Sequence, residues 1–476
     1  MNLPDSLSKL FAYIDNNKVN FIETLIEAVA IKSVSAWPHT RTECQRMIDW
    51  AQHKMEVLNI SCKQVDIGSQ DLPDGTKIKL PNILTGTLGN DPAKKTVLVY
   101  GHLDVQPAAV EDGWDTDPFV LTPKDGKLYG RGSSDDKGPI LCWLNAIEAY
   151  QRQNLTIPVN IKFVFEGMEE SGSIGLHKCL MSMRRWFDDV DYACITDSRW
   201  LGNYPCVTYG LRGLAHFNLD IECAKMDMHS GVYGGTVYEA MTDLFNLMSQ
   251  LVDVNGKILV PGVYDDVEPV KPDEDKIYEK IVFDVNDYKK SIGAPGRLLY
   301  ENKKDLLQHR WRFPALSIHG ISGAHCKPGQ KTVIPGKVTG KFSIRLVPNQ
   351  DPNKIEALVV DYLTKKFKES GSPNVMKCQM SHGVRAFTEN PNNHNFQAAI
   401  RATEHVYGVE PNLIREGSTI PVTLTFQEVT GKNVLLLPIG CGDDGAHSQN
   451  EKINERNFIE GSKVLGAYLY ELSKIL

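Results

Sequence analysis

Three apolar, β-branched runs that each break off in acidic or imidazole side chains constrain this chain more than any other feature. They are TVLVYGHLDV (Thr96 to Val105), VNIKFVFEGMEE (Val159 to Glu170) and DYACITDS (Asp191 to Ser198). An apolar run that stops abruptly in polar residues has the pattern of a strand buried on both faces of a parallel sheet. Between the first two lies PILCWLNAIEAYQR (Pro139 to Arg152), with helical spacing and a proline tolerable in the first turn. Helix-like spacing also fills residues 5 to 60, through Leu7, Leu10, Phe11 and Ile14, then Phe21, Leu25, Ile26 and Val29. Alternating strands and helices predict an α/β layered domain with a largely parallel central sheet. Ligands of such sheets gather at the carboxyl ends of the strands. His102 and Asp104, Glu169 and Glu170, and Asp197 all stand at such ends.

The stretch GRGSSDDKGP (Gly130 to Pro139) sets Asp135 and Asp136 side by side among small residues, just before the predicted helix. Alone, the pair fits capping of that helix equally well, because negative charge is favoured at a helix N-terminus. Together with the acids at the strand ends, it brings several carboxylates and a histidine to one rim. Carboxylates packed without compensation take up protons or unfold the site. Divalent cations remove the conflict, and a mixed histidine–carboxylate set suits zinc, manganese or cobalt better than calcium.

Bulk properties narrow the class. A chain of 476 residues exceeds what one hydrophobic core usually serves, so two domains are expected. The formal net charge of -7 and the lack of any Lys/Arg run exclude nucleic acid as a partner. No apolar stretch approaches the roughly 20 residues that span a bilayer. The opening MNLPDSLSKLFAYIDNN lacks the basic start and apolar core of a signal peptide. Ten cysteines, scattered from Cys44 to Cys441 without a CxxC pair, read as free, mostly buried thiols of a reducing compartment. A cytoplasmic protein is expected.

The motifs GHLDVQP, YGRGSSDDKGP, EGMEESGS, DMHSGVYGG and DDGAHSQNE together resemble the M20 metallopeptidases, and in particular their dipeptidase branch, over essentially the whole chain. The resemblance implies two divalent ions per subunit, Zn2+ or Mn2+. Asp135, Glu170 and His447 would hold one, and Asp135, His102 and Asp197 the other. Asp135 would bridge them, with a cis peptide bond to Asp136. Asp104 would hydrogen-bond the far nitrogen of His102 and fix its tautomer. Glu169 would be the general base toward a metal-bridged hydroxide, then the general acid. Cys441, Asp443 and Asp444 are expected to be bystanders or loop-shaping residues.

The resemblance further implies a lid and dimerisation domain at 206–385, inserted between catalytic parts 1–205 and 386–476. Val260 to Leu306 within it is charged and shows little period, whereas KTVIPGKVTGKFSIRLVP alternates as sheet does. His229 would stabilise the oxyanion in the partner subunit of a homodimer, with Thr332 reaching the same place. Arg345 would grip the substrate's free C-terminal carboxylate, and Asp197 and His447 would also touch substrate. REGSTIPVT departs from the family pattern: Ser418 stands where a second glycine is usual, and Thr419 keeps a hydroxyl at a substrate-contact position. The implied activity is hydrolysis of dipeptides with broad specificity, Cys-Gly and carnosine among the candidates. A carboxypeptidase, an aminoacylase and a non-catalytic peptide-binding relative remain open alternatives.

Overall fold

The computed structural model describes residues 3–475. The chain divides into two compact units. The first comprises Met1–Tyr209, Glu389–Ile414 and Val422–Leu476; the second comprises Gly210–Thr388 and Arg415–Pro421. The sequence reading assigns Arg415–Pro421 to the catalytic domain, whereas it groups with the second unit. It is tied there through Arg415, which pairs with Glu274, and through Thr419, whose hydroxyl donates to the Arg212 carbonyl and accepts from Arg345.

The first unit is built on a mixed sheet. Four central strands are parallel, in the order Asn160–Glu166, Thr96–His102, Tyr192–Ile195 and Val434–Leu436. Antiparallel strands flank them: Ile83–Leu88 and then Ser61–Val65 on one side, Cys206–Leu211 on the other. The expected parallel sheet is thus the centre of a larger mixed one. Every residue of Thr96–His102 and of Asn160–Glu166 is buried, because both faces of the sheet are covered. Neighbouring residues show the two coverings. Tyr100 meets Phe426 of the helix Val422–Thr430 edge-on at 5.2 Å. Gly101 points the other way, where a Cβ would collide with Ile140 of the helix Lys137–Arg152. That helix is apolar nearly all round and packs among helices Asp5–Asn16, Lys18–Val29 and Glu455–Leu472.

The second unit is α+β. Its antiparallel sheet runs Ala315–Ser322, Lys337–Leu346, Gly213–Glu222, Val375–Val384. Burial alternates along Gly213–Glu222, and Ala215, Phe217, Leu219 and Ile221 share a core with Phe342 and Ile344. Helices Ala240–Met248 and Pro352–Ser370 close that face. Pro352–Ser370 begins where the Asp351 carboxylate accepts the amides of Asn353 and Lys354, and ends at Gly371 with φ 70°. The charged stretch without clear period holds two short helices, Pro272–Lys280 and Val285–Ser291, and the start of a third, Lys303–Trp311. No helix among the described residues is long and apolar enough to cross a membrane. Among the described residues none of the ten cysteines forms a disulfide; six are buried and Cys326 is exposed.

Candidate active site

Seven of the residues singled out in the sequence meet in the first unit. His102 is the last residue of its strand, and Asp104 follows two residues on. Asp135 ends the loop before the helix Lys137–Arg152, and its peptide bond to Asp136 is cis. The loop doubles back so tightly that a Cβ at Gly138 would collide with the Ser133 carbonyl. Glu169 and Glu170 open a short 3-10 turn beyond Asn160–Glu166. Asp197 lies just past Tyr192–Ile195. His447 is carried by a loop in which it takes a left-handed backbone, φ 63°.

The two oxygens of Asp135 face two different groups of side chains. Oδ1 lies 3.1 Å from His102 Nε2, which is itself 3.8 Å from Asp197 Oδ2. Oδ2 lies 3.1 Å from His447 Nε2, which is 3.1 Å from Glu170 Oε2. Ligand-type atoms of His102, Asp135 and Glu170 fall within 4.8 Å of one another, as do those of His102, Glu169 and Asp197. A carboxylate between two such sets is the arrangement that two cations sharing one ligand require.

The surroundings orient these groups. His102 Nδ1 is 3.0 Å from the main-chain carbonyl of Asp104, which can only accept, so that nitrogen carries the proton and Nε2 faces Asp135. Asp104 meets His102 Nδ1 through its main chain. Its carboxylate stands 3.6 Å from the ring and instead accepts the amides of Glu169 and Glu170, each at 3.0 Å. Asp104 therefore fixes the turn that bears both glutamates, while its carbonyl fixes the imidazole. Asp136 Oδ2 accepts the His102 amide at 3.3 Å, and its Oδ1 is buried without a partner.

Burial shapes the charges. It pushes Asp136 and Glu169 well above the usual carboxylate range, and pushes Asp197 up to about 7 with help from Asp135. It acts on Asp135 in the same direction, but Arg199 and the two histidines outweigh it and hold Asp135 well below that range. Hydrogen bonds to Asp135 and Glu170 push His447 up to about 10. Protons on these histidines and carboxylates occupy the place that cations take, since metal binding displaces them. The donor set of imidazoles and carboxylates, the unpartnered Asp136 oxygen and the shared Asp135 all fit divalent transition ions.

Cys441, Asp443 and Asp444 also lie at ligand-like spacing. Lys452 fills that cluster, with Nζ 2.6 Å from both Asp443 and Asp444. The remaining candidates belong to the second unit. His229 is exposed on the short strand Met228–His229, paired with Val333–Ile334. Its Nδ1 accepts the Gly231 amide at 3.0 Å, which leaves Nε2–H as a free donor. Exposed Thr332 accepts the Ser230 amide through its carbonyl at 3.1 Å. Arg345 Nη1 donates to the Thr419 hydroxyl at 2.9 Å, and that hydroxyl donates to the Arg212 carbonyl at 2.8 Å. Thr419 thus aligns Arg345. Ser418 lies beside it, part-buried.

Three neighbours of the site were not singled out in the sequence. Arg199 reaches Asp135 Oδ2 at 3.2 Å, and Gln106 donates to Glu170 Oε2 at 2.8 Å. Each follows a strand-end acid by two residues, and that spacing is the signal that could have marked them. Glu451, the third, carries no such signal.

A family model described as Peptidase family M20/M25/M40 matches residues 98–471. The chain belongs to this family. It is 48% identical over 474 residues to the Beta-Ala-His dipeptidase of Rattus norvegicus, covering 99% of this chain and 96% of that protein. Over 473 residues it is 46% identical to the Cys-Gly metallodipeptidase of Schizosaccharomyces pombe, covering 99% of each. The crystal structure of human carnosine dipeptidase 1 superposes with a TM-score of 0.92 at 45% identity, covering 99% of this chain and all of that one. The site is therefore that of an M20 peptidase.

Proposed function

We propose that this M20 peptidase hydrolyses dipeptides bearing a free C-terminal carboxylate, with broad specificity and with two divalent metal ions, Zn2+ or Mn2+, in each subunit. The observation that carries the reading is the Asp135 carboxylate, one oxygen toward His102 and Asp197 and the other toward His447 and Glu170. Full-length relatives named for Beta-Ala-His and Cys-Gly dipeptides support the substrate class.

Asp135, Glu170 and His447 would hold one ion, and Asp135, His102 and Asp197 the other. Such ions supply Lewis-acid activation of a water molecule and of the scissile carbonyl. Glu169 takes the proton of the attacking water and returns it to the nitrogen of the departing amino acid. Two features suit it to both steps: burial that raises its proton affinity, and a main chain pinned by Asp104. The Nε2–H of His229 donates to the oxyanion in the partner subunit of a homodimer, with Thr332 beside it on the neighbouring strand. The Arg345 guanidinium grips the substrate carboxylate through paired hydrogen bonds. The second unit serves as the lid and dimerisation domain. A cytoplasmic location agrees with ten cysteines that form no disulfide.

The test is a dipeptide panel with metal-stripped protein, zinc or manganese added back, and a C-terminally amidated control. Metal-dependent cleavage that fails on the amide is expected. Equal cleavage of the amide would remove the carboxylate anchor, and no cleavage with either metal would reject the activity. For the dimer, His229→Ala mixed with Glu169→Ala should regain activity. Proven heterodimers that stay inactive would place His229 within its own subunit.

A further inference from the structure

The loop that carries Asp135 and the loop that carries His447 are tied together by one buried ion pair. Glu451 is fully buried and Arg131 nearly so, at 0% and 2% exposure. Glu451 Oε1 accepts the main-chain amides of Gly132, Ser134 and Asp135, each at 3.1 Å. Its Oε2 meets Arg131 Nη1 at 2.6 Å. The other arm of the guanidinium, Nη2, donates to the carbonyl of Ser448, the neighbour of His447, at 3.1 Å. The Glu451 carbonyl in turn accepts the Gly130 amide at 2.9 Å.

One carboxylate thus receives the amide of Asp135 itself and two more just before it. Its partner guanidinium holds the residue next to His447, more than 300 positions away in sequence. A buried ion pair is weak evidence of stabilisation, since apolar residues of similar volume often serve as well. Its placement, spanning the loop that carries Asp135 and the loop that brings His447 to Asp135 Oδ2, has a direct consequence for geometry. We infer that Glu451 and Arg131 are positioning residues that set Asp135 against His447 and thereby set the affinity and geometry of the metal held between them. The inference rests on the reading that Asp135 and His447 bind metal.

The test titrates Co2+ into metal-stripped full-length protein. It follows the cobalt absorption spectrum and the dissociation constant together with kcat and KM. Glu451→Gln keeps the shape but replaces one accepting oxygen with a donor. Glu471→Gln is the matched control. Glu471 is a carboxylate of 1% exposure that holds Arg401, His405 and Lys474 elsewhere in the same unit. Glu451→Gln should weaken cobalt binding about 10- to 100-fold, shift the spectrum and lower kcat more than it raises KM. Glu471→Gln should leave spectrum and affinity at the wild-type values even where its thermal midpoint falls as far.

A folded Glu451→Gln with wild-type affinity and spectrum overturns the inference. So does an equal change in both variants. If Glu451→Gln does not fold, Arg131→Met decides, because it leaves Glu451 Oε1 to accept the three amides and removes the guanidinium that pairs with Oε2 and holds the Ser448 carbonyl. A wild-type spectrum there also overturns the inference, and a shifted one supports it. Wild-type protein that binds no cobalt instead rejects the underlying metal reading.

Discussion

Two acidic clusters of this chain have ligand-like spacing, and they solve the same electrostatic problem in opposite ways. Around Cys441, Asp443 and Asp444 the cation is covalently part of the fold, because Lys452 places its ammonium 2.6 Å from both carboxylates. Around Asp135 the nearby cation is Arg199, which reaches one oxygen from a side chain 24% exposed. The rest of that cluster relies on protonated imidazoles and on raised carboxyl groups at Asp136, Glu169 and Asp197. The first cluster is complete as folded. The second sets imidazoles and carboxylates against one another without a lysine among them, and such a set binds metal in exchange for its protons. A count of acids does not separate the two; the presence of a built-in lysine does.

The comparison is most directly broken by removing metal. Chelation should abolish turnover and lower the thermal midpoint, since metal at 1,000 times its dissociation constant stabilises the fold by about 4 kcal/mol. An unchanged midpoint on chelation would mean that the Asp135 cluster is as self-sufficient as the Lys452 cluster. Glu169→Gln comes next. It should lower kcat by about 100- to 10,000-fold while metal content, measured by elemental analysis, stays at the wild-type level. Loss of metal along with activity would make Glu169 a ligand rather than the proton carrier.

Lys452→Met attacks the other side of the contrast. It leaves two carboxylates beside a buried thiol without their cation, and breaking a buried pair from one side costs about 3–5 kcal/mol. Chemical denaturation should show that loss, and added zinc should restore part of it, because the emptied cluster then resembles the other one. A variant as stable as wild type would show that Asp443 and Asp444 never needed the ammonium.

The strand ends explain why so much of the site was legible. Thr96–His102 and Asn160–Glu166 are buried on both faces, so their composition is unambiguous and the residues that follow them mark one rim. His102, Asp135, Glu170 and Asp197 could be drawn together on that logic, and the resemblance added His447. Ties set by the tertiary fold were not legible. Nothing in the local sequence directs the Asp104 carboxylate to two amides 65 and 66 residues away, or Lys452 to the acids at 443 and 444. The helices within residues 260–306 escaped notice for another reason. Two to three turns in length, they depend on packing rather than on propensity, and their charged faces blur the period.

Arg415–Pro421 was the least legible stretch, and it yields the smallest expected effect. The Thr419 hydroxyl is bonded on both sides, to Arg345 and to the Arg212 carbonyl. Thr419→Val keeps the volume and removes both bonds. The Arg345 fork then loses its alignment while its charge remains, which costs about 0.5–1.5 kcal/mol for a hydrogen bond of this kind. If Arg345 grips the substrate carboxylate as proposed, the grip is the same in the ground and transition states, and KM should rise by a few-fold with kcat unchanged. A fall in kcat instead would move Thr419 from aligning the anchor to acting at the scissile bond.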